Sequence, residues 1–206
     1  MQDLAKTTCA VYERNAAGFD RRRGRNLIER AWLDRFLALV PKGERVLDLG
    51  CGAGEPIARY LIERGYAVTG VDFAEPMLAI ARERFPDATW IHADMRTLDL
   101  GRTFGGIVGW NSFFHLTRDE QRAAIPILAR HLAPSGALML TVGPGDGEVT
   151  GTVEGEAVYH ASLAPEEYEE LLGRAGLALV DFVAEDPSCN VHSVLLARRP
   201  PEAEQQ

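Results

Sequence analysis

Hydrophobic residues change their spacing along the chain near residue 45. Before that point they recur every three or four positions, which predicts helices over 4–16 and 25–40. Beyond it, short apolar runs alternate with helical patterns, and the runs predict strands. The predicted strands span 45–49, 67–71, 89–92, 106–110, 137–142, 177–185 and 191–197, and the predicted helices between them span 54–64, 76–84, 117–132 and 165–175.

This alternation of strands and helices predicts a parallel sheet covered on both faces. The last two strands are separated only by the segment 186–190, which is too short for the crossover that parallel neighbours need. We therefore expect an α/β, doubly wound, Rossmann-like sheet of seven strands. It should be mostly parallel with an antiparallel edge strand, and helices should lie on both faces.

The chain length predicts one domain over residues 1–206. Within it we expect an N-terminal helical cap at 1–43. Residues 144–164 form a long connection after the fifth strand, with two β-rich runs flanking Glu154-Gly155. That pattern predicts a hairpin flap inserted over the site at the sheet edge.

Composition narrows the class of protein. The net charge of −8 disfavours a nucleic-acid substrate, because such a binder needs a surface that neutralises phosphates. No apolar run is long enough to span a bilayer, and the first residues lack the order of a signal peptide, so we expect a cytoplasmic protein with no membrane partner. The three cysteines show no CxxC spacing, so we expect no metal site.

A glycine-rich stretch, VLDLGCGAGEP at 46–56, follows the first predicted strand. Glycines at 50, 52 and 54 lack a β-carbon, so a ligand can come close to the main chain there. Asp72 ends the second predicted strand, 22 residues after Gly50. A carboxylate at that place can accept hydrogen bonds from both hydroxyls of a ribose. The two features together predict a ligand that contains adenosine.

Two acidic residues beside the glycines restrict that ligand. Asp48 and Glu55 would oppose a pyrophosphate, which needs the positive end of a helix, and Glu55 stands where the NAD fingerprint has its third glycine. A ligand with an adenosine ribose, no phosphate and a cationic head fits better, and S-adenosylmethionine has these properties. An NAD-type oxidoreductase and a non-catalytic protein that binds adenosine ligands remain alternatives.

Four motifs in order resemble those of class I S-adenosylmethionine-dependent methyltransferases: VLDLGCGAG, GVDFAEPML, HADMRTLDL and WNSFFHL. The resemblance is strong over 45–142 and is closest to the small-molecule, type 11/25-like group. It implies in-line transfer of a methyl group from S-adenosylmethionine to a small-molecule acceptor, by a monomer or homodimer. Relatives often have Asp where Asn111 stands, so we expect no general base at 111.

The resemblance assigns one set of residues to the methionine end of the cofactor. The main chain of Gly50, Cys51 and Gly52 would follow the methionine portion. Asp48 would lie near its ammonium group, and Trp110 would lie near the sulfonium.

A second set of residues is assigned to the adenosine end. Asp72 would bind the ribose, with Phe73 and Met77 beside the adenine. Asp94 would accept a hydrogen bond from the adenine amino group, and the main chain of Met95 would contact a ring nitrogen.

The remaining candidates lie on the cap, on the loop after the fourth strand and on the flap. Tyr12 would bind the carboxylate of the cofactor as the cap closes, and Arg23 or Arg25 would meet that carboxylate or an acidic substrate. His115 is the first candidate for a general base, because an unperturbed histidine titrates near neutral pH. Tyr159 and His160, on the flap, are further candidates for contact with the acceptor.

Overall fold

Nine strands form two sheets in the computed structural model, which describes residues 1–201. The strands are β1 Arg45–Leu49, β2 Ala67–Asp72, β3 Thr89–His92, β4 Phe104–Gly109, β5 Leu132–Val142, β6 Gly147–Val153, β7 Glu156–Ser162, β8 Ala178–Asp186 and β9 His192–Arg198. Seven of them form the main sheet in the order β3-β2-β1-β4-β5-β9-β8. The other two, β6 and β7, form a separate antiparallel hairpin.

The main sheet confirms the expected doubly wound, mostly parallel architecture. Strands β1 to β5 pair in parallel, whereas β9 pairs antiparallel with both β5 and β8. The antiparallel pair lies at one edge of the sheet, as expected. The reversed strand, β9, is second from that edge, because it inserts between β5 and β8.

In residues 1–201, six α-helices accompany the strands: α1 Gln2–Arg22, α2 Arg30–Leu39, α3 Ile57–Glu63, α4 Glu75–Arg84, α5 Arg118–Arg130 and α6 Pro165–Arg174. Helix α1 continues six residues beyond its predicted end at 16, because Phe19, one turn further on, packs with Ala16 against the cluster of Ala53, Ala74 and Met77. Helix α2 begins five residues later than predicted, since Leu27 adopts a positive φ of 48° that no helix accommodates.

Two apolar layers hold the helices on opposite faces of the sheet. On one face, α5 and α6 pack through residues such as Ile125 and Leu172. On the other, α2, α3 and α4 pack through residues such as Phe36, Leu61 and Leu78. Within residues 1–201, no helix combines the length and the apolar character that crossing a membrane requires.

The hairpin β6–β7 packs against α1 rather than against the main sheet. Val11 of α1 contacts Val153 and Val158 in a small apolar cluster. Thr8 accepts a hydrogen bond from the main-chain nitrogen of Tyr159, at 2.9 Å. We call α1 and the hairpin, residues 2–22 and 147–162, the lid, because α1 lines the cavity described below.

Candidate active site

A cavity lies under α1, beside the carboxyl ends of β1, β2 and β4. The residues that the sequence assigned to cofactor binding line it, with Arg23 rather than its alternative Arg25: Tyr12, Arg23, Asp48, Gly50, Cys51, Gly52, Asp72, Phe73, Met77, Asp94, Met95 and Trp110. His115 lines it too. The parallel sheet produces this convergence, because the carboxyl ends of its strands meet at the same edge.

Two glycines of the loop after β1 have different structural roles. Gly50 has a φ of +72°, and a β-carbon there would overlap the side chain of Ser112. Ser112 in turn donates a hydrogen bond to the carbonyl oxygen of Leu49, at 2.5 Å. Gly52 has a φ of +52°, but a β-carbon there would meet nothing within 4 Å. Gly50 is therefore required by packing, whereas Gly52 leaves room for a ligand.

Asp72 holds the loops after β1 and β2 together. Its carboxylate accepts hydrogen bonds from the main-chain nitrogens of Gly52, at 2.7 Å, and Ala74, at 2.8 Å. Burial raises the pKa of this carboxyl, and the two main-chain hydrogen bonds oppose the rise. Each carboxylate oxygen has a further lone pair. Asp72 is therefore oriented by the loop it stabilises and retains acceptor capacity.

Asp48 has a buried carboxyl group whose hydrogen bonding is incomplete in the described part of the chain. The side chain is 2% exposed, and its Oδ2 atom makes no hydrogen bond within residues 1–201. Burial raises its pKa to about 7, and nearby Asp72 adds to the rise while Arg23 opposes it. A buried carboxylate without a hydrogen bond is costly. An ammonium group bound in the cavity would relieve this cost, so the site fits a ligand with a cationic head.

Glu55, the other acid of the loop, does not have the isolated charge that its place in the sequence suggested. It accepts a hydrogen bond from Nε of Arg59, at 2.7 Å, and its carboxylate lies 4.0 Å from Nε of Arg84. These arginines compensate the Glu55 charge. The expectation that both acids oppose a pyrophosphate is therefore wrong for Glu55. Asp48 is the acid whose charge disfavours a pyrophosphate in this cavity.

Asp94 lies at the expected edge of the cavity, but it already has a partner. Both of its oxygens accept hydrogen bonds from Nε of Arg96, at 2.9 and 2.8 Å, and Arg96 also donates to Glu120. Burial alone would raise the pKa of Asp94, but the hydrogen bonds from Arg96 hold it below its usual value. A contact between Asp94 and an adenine amino group, which stays a prediction, would have to share these oxygens with Arg96.

The adenine-side residues differ in exposure. Phe73 is 38% exposed, and its carbonyl oxygen lies 2.7 Å from Nε2 of His92. Met77 is 1% exposed and packs with the small residues of the neighbouring loops. Met77 thus forms a wall of the cavity, while the ring of Phe73 lies at its rim.

His115 links the lid to the loop after β4. Its Nδ1 lies 2.9 Å from the carbonyl oxygen of Tyr159, and its Nε2 lies 2.8 Å from the hydroxyl of Tyr12. A carbonyl oxygen can only accept, so Nδ1 has the proton and Nε2 accepts from Tyr12. Burial, with a smaller contribution from nearby His160, lowers the pKa of His115 to about 4, and the hydrogen bond to Tyr159 opposes this shift. His115 is therefore a neutral imidazole with a fixed tautomer.

A second cavity adjoins the first, and the two share Tyr12, Phe19, Arg23 and Asn111. His160 lines this second cavity beside Phe114, with ring centroids 4.6 Å apart. No hydrogen bond within the described part of the chain involves its ring nitrogens.

Tyr159 lines neither cavity. Its side chain is buried, and its hydroxyl donates to Glu148 at 2.8 Å. The structure thus places only the main chain of Tyr159 near the site, where its carbonyl orients His115. A direct catalytic role for Tyr159 stays a prediction without a contact to support it.

The sequence analysis did not identify several residues that line the first cavity. Ala5, Thr8 and Cys9 of α1 line the first cavity together with Tyr12. Their spacing of three or four residues places them on one face of a helix, a signal available in the sequence. Ser112 had no such signal, because its contact with Gly50 joins two loops that are distant in the chain.

Residues 46–136 match a family model described as a methyltransferase domain. The dTDP-3-amino-3,4,6-trideoxy-alpha-D-glucopyranose N,N-dimethyltransferase of Streptomyces venezuelae is 36% identical over 109 residues, which cover 52% of this chain and 46% of that protein. The dTDP-3-amino-3,6-dideoxy-alpha-D-glucopyranose N,N-dimethyltransferase of Streptomyces fradiae is 38% identical over 102 residues, 48% of this chain and 40% of that protein. The chain thus matches about half or less of the length of these curated relatives.

A solved structure covers far more of the chain. CalS10, an amino pentose methyltransferase from Micromonospora echinaspora solved with S-adenosylmethionine bound, has a TM-score of 0.69 and 25% sequence identity. The match covers 90% of this chain and 95% of that one. Residues 46–136 thus match a methyltransferase-domain family, and the sheet order and the glycine loop with its two carboxylates make the chain similar to class I S-adenosylmethionine-dependent methyltransferases.

Proposed function

We propose that the protein transfers a methyl group from S-adenosylmethionine to a small-molecule acceptor. The observation that supports this most strongly is the pair of buried carboxyl groups at the glycine loop. In the described part of the chain, Oδ2 of Asp48 has no hydrogen bond, and Asp72 is held by Gly52 and Ala74 with acceptor capacity left over. A cationic head and a ribose are the two ligand groups that these carboxylates would bind best.

The chain's own residues would hold the cofactor at both ends. Asp48 would pair with the ammonium group, and Asp72 would accept hydrogen bonds from the ribose hydroxyls. The open space at Gly52 would let the ligand approach the main chain. Among residues 1–201, the guanidinium of Arg23 makes only a long 3.4 Å contact with Glu29, so it has donors left for a carboxylate.

When bound, S-adenosylmethionine supplies a methyl group already activated by its sulfonium. The protein's task is then to orient the acceptor in line and to exclude water. Helix α1 covers the cavity through Ala5, Thr8, Cys9 and Tyr12, so the lid performs the exclusion. Trp110, which is 4% exposed and lines the same cavity, adds an apolar wall beneath.

The second cavity is the acceptor site in this proposal. It meets the first at Tyr12 and Asn111, so a molecule bound there lies next to the cofactor. His115 holds Tyr12 by its hydroxyl, and His160 has ring nitrogens available for the acceptor. Burial lowers the pKa of His160, so it too favours the neutral form that accepts a proton.

An amine is the acceptor group that we favour. Two sequence relatives are N,N-dimethyltransferases of amino sugars. In this chain the Oδ1 atom of Asn111, at the junction of the two cavities, is buried and has no hydrogen-bond partner within residues 1–201. An amide oxygen accepts hydrogen bonds from N–H groups and would orient an amine nucleophile.

Transfer of a radiolabelled methyl group tests the proposal. The wild-type protein, with labelled S-adenosylmethionine and a panel of small amines, phenols and thiols, should label at least one acceptor. The Asp72→Ala variant should lose most of this activity. It lacks the carboxylate that would bind the ribose, and it leaves the main-chain N–H groups of Gly52 and Ala74 without their acceptor. Labelling by the variant at the wild-type rate would remove Asp72 from the site, and labelling of phenols or thiols alone would exclude the amine.

A further inference from the structure

An arginine outside both cavities joins helix α1 to the glycine loop. Arg84, in the last turn of α4, donates from its two terminal nitrogens to the carboxylate of Asp20, at 2.9 and 2.8 Å. The same guanidinium donates to the carbonyl oxygen of Ala53, at 2.9 Å. Asp20 lies near the C-terminal end of α1, and Ala53 lies between Gly52 and Gly54. One side chain thus connects three elements around the cofactor cavity.

The contact has the features of a strong ion pair. The two side chains are 21% and 12% exposed, so solvent screens them less than a surface pair. The geometry is bidentate, which is the strongest arrangement of arginine with a carboxylate. The hydrogen bonds from Arg84 also hold the pKa of Asp20 below its usual value, so Asp20 is ionised at neutral pH.

Apart from its contacts with the hairpin β6–β7, helix α1 makes few other polar contacts with the described part of the chain. Its contacts with the hairpin involve Thr8, Arg14, Asn15 and Arg22. Within residues 1–201, only two side-chain polar contacts tie α1 to the chain from α2 onward, the hairpin excepted. One is Tyr12 with His115, and the other is Asp20 with Arg84.

We propose that Asp20 and Arg84 are a positioning pair for the cofactor site. By fixing α1 against the loop at Ala53, the pair stabilises the closed lid. This inference rests on the proposed function, because its ligand is S-adenosylmethionine. Arg84 lines neither cavity. Asp20 lines the first cavity, but its carboxylate accepts hydrogen bonds from Arg84 and Arg25, so neither residue is assigned a contact with reacting atoms.

The closed lid is the state that binds the cofactor in this account. If the pair is broken, the fraction of closed protein falls, and the apparent dissociation constant rises in proportion. The change should appear mainly in the dissociation rate, because an open lid lets the ligand leave. A lysine at position 84 would keep the charge but not the bidentate contact together with the bond to Ala53.

The test compares Arg84→Gln and Arg84→Lys with a matched control, Arg82→Gln. Arg82 lies on the same helix and forms an exposed ion pair with Glu75, and among residues 1–201 it makes no hydrogen bond or ion pair with α1. S-adenosylmethionine binding is measured by calorimetry and its dissociation by stopped flow, below the unfolding temperature of each variant. We expect Arg84→Gln to raise the dissociation constant about tenfold, Arg84→Lys to fall between, and Arg82→Gln to match the wild type.

A wild-type dissociation constant and rate in Arg84→Gln would overturn the proposal. A lower unfolding temperature with unchanged binding would overturn it too, because it would show a merely structural pair. If Arg84→Gln does not fold, Asp20→Asn tests the same contact with the same expectations. Failure of the wild-type protein to bind S-adenosylmethionine would instead refute the proposed function itself.

Discussion

At the scale of single residues, the unusual group is the carboxyl of Asp48. Its burial and the nearby Asp72 raise its pKa to about 7 when the cavity holds no cation, while Arg23 opposes the rise. A bound ammonium group favours the ionised carboxylate and lowers that pKa. Binding of the cofactor below pH 7 should therefore release a proton from Asp48.

This coupling predicts that the affinity for S-adenosylmethionine increases with pH. Between pH 6 and pH 8 the dissociation constant should fall about tenfold, because the ionised fraction of Asp48 rises over that range. Asp48→Asn should bind more weakly and lose most of the dependence. Calorimetry in buffers of different ionisation enthalpy measures the released proton, and an affinity independent of pH in the wild type would contradict this role.

The pKa of His115 is shifted in the opposite direction, below its usual value. Its burial lowers its pKa to about 4, so it stays neutral across the physiological range. Replacing it by Gln should lower turnover about a hundredfold if it receives a proton through Tyr12. The factor should be the same at pH 6 and pH 8. The dissociation constant of S-adenosylmethionine should rise too, but by less than this factor, because the variant alters the Tyr12–His115 contact between α1 and the loop after β4. A factor that changes with a pKa near 6.5 would show that His115 titrates normally.

At the scale of elements, the loop after β1 contains two glycines, Gly50 and Gly52, whose alanine variants should have different effects. Gly52→Ala meets no atom within 4 Å, so it should cost only about 1–2 kcal/mol of folding free energy for its left-handed φ. The new methyl group would occupy the space left for a ligand. Binding of S-adenosylmethionine, measured on folded protein, should therefore be largely lost.

Gly50→Ala is the comparison. A β-carbon at 50 would overlap Ser112, so thermal unfolding should show a larger loss of stability than in Gly52→Ala. A Gly52→Ala variant that binds S-adenosylmethionine like the wild type would show that the ligand does not approach the main chain at this glycine.

Elements also show what the sequence can and cannot specify. Strands β1 and β3 were predicted to the residue, since each is an apolar run with clear boundaries. Thr117 and Glu120 form the expected capping box of α5. The end of α1 was wrong, because contacts of Ala16 and Phe19 with distant loops determine it. Local pattern specifies elements, whereas their limits depend on tertiary packing.

The residues of the site also differ in whether local sequence pattern or tertiary packing reveals them. Motif residues such as Asp48 and Asp72 were found from the sequence, and the fold brings them into one cavity. Arg59 beside Glu55, Arg96 beside Asp94 and Arg84 beside Asp20 were not found. Glu55 and Arg59 stand four residues apart, a spacing that the sequence did offer. Asp20 and Arg84 are 64 residues apart, and no spacing indicates such a pair.

At the scale of the whole molecule, the lid is one unit made from two distant segments. Helix α1 and the hairpin β6–β7 share an apolar cluster and the hydrogen bond between Thr8 and Tyr159. Cofactor binding should therefore slow amide hydrogen exchange in residues 2–22 and 147–162 together. Mass spectrometry of exchange with and without S-adenosylmethionine measures this, and protection of α1 alone would contradict a single lid.

The central claim is that the cavity at the glycine loop binds S-adenosylmethionine. Calorimetric titration of the wild-type protein with S-adenosylmethionine, S-adenosylhomocysteine and NAD tests it most directly. The buried Oδ2 atom of Asp48 has no hydrogen bond within residues 1–201, so we expect binding of both sulfur ligands and much weaker or no binding of the diphosphate. Binding of NAD without binding of S-adenosylmethionine would contradict the account.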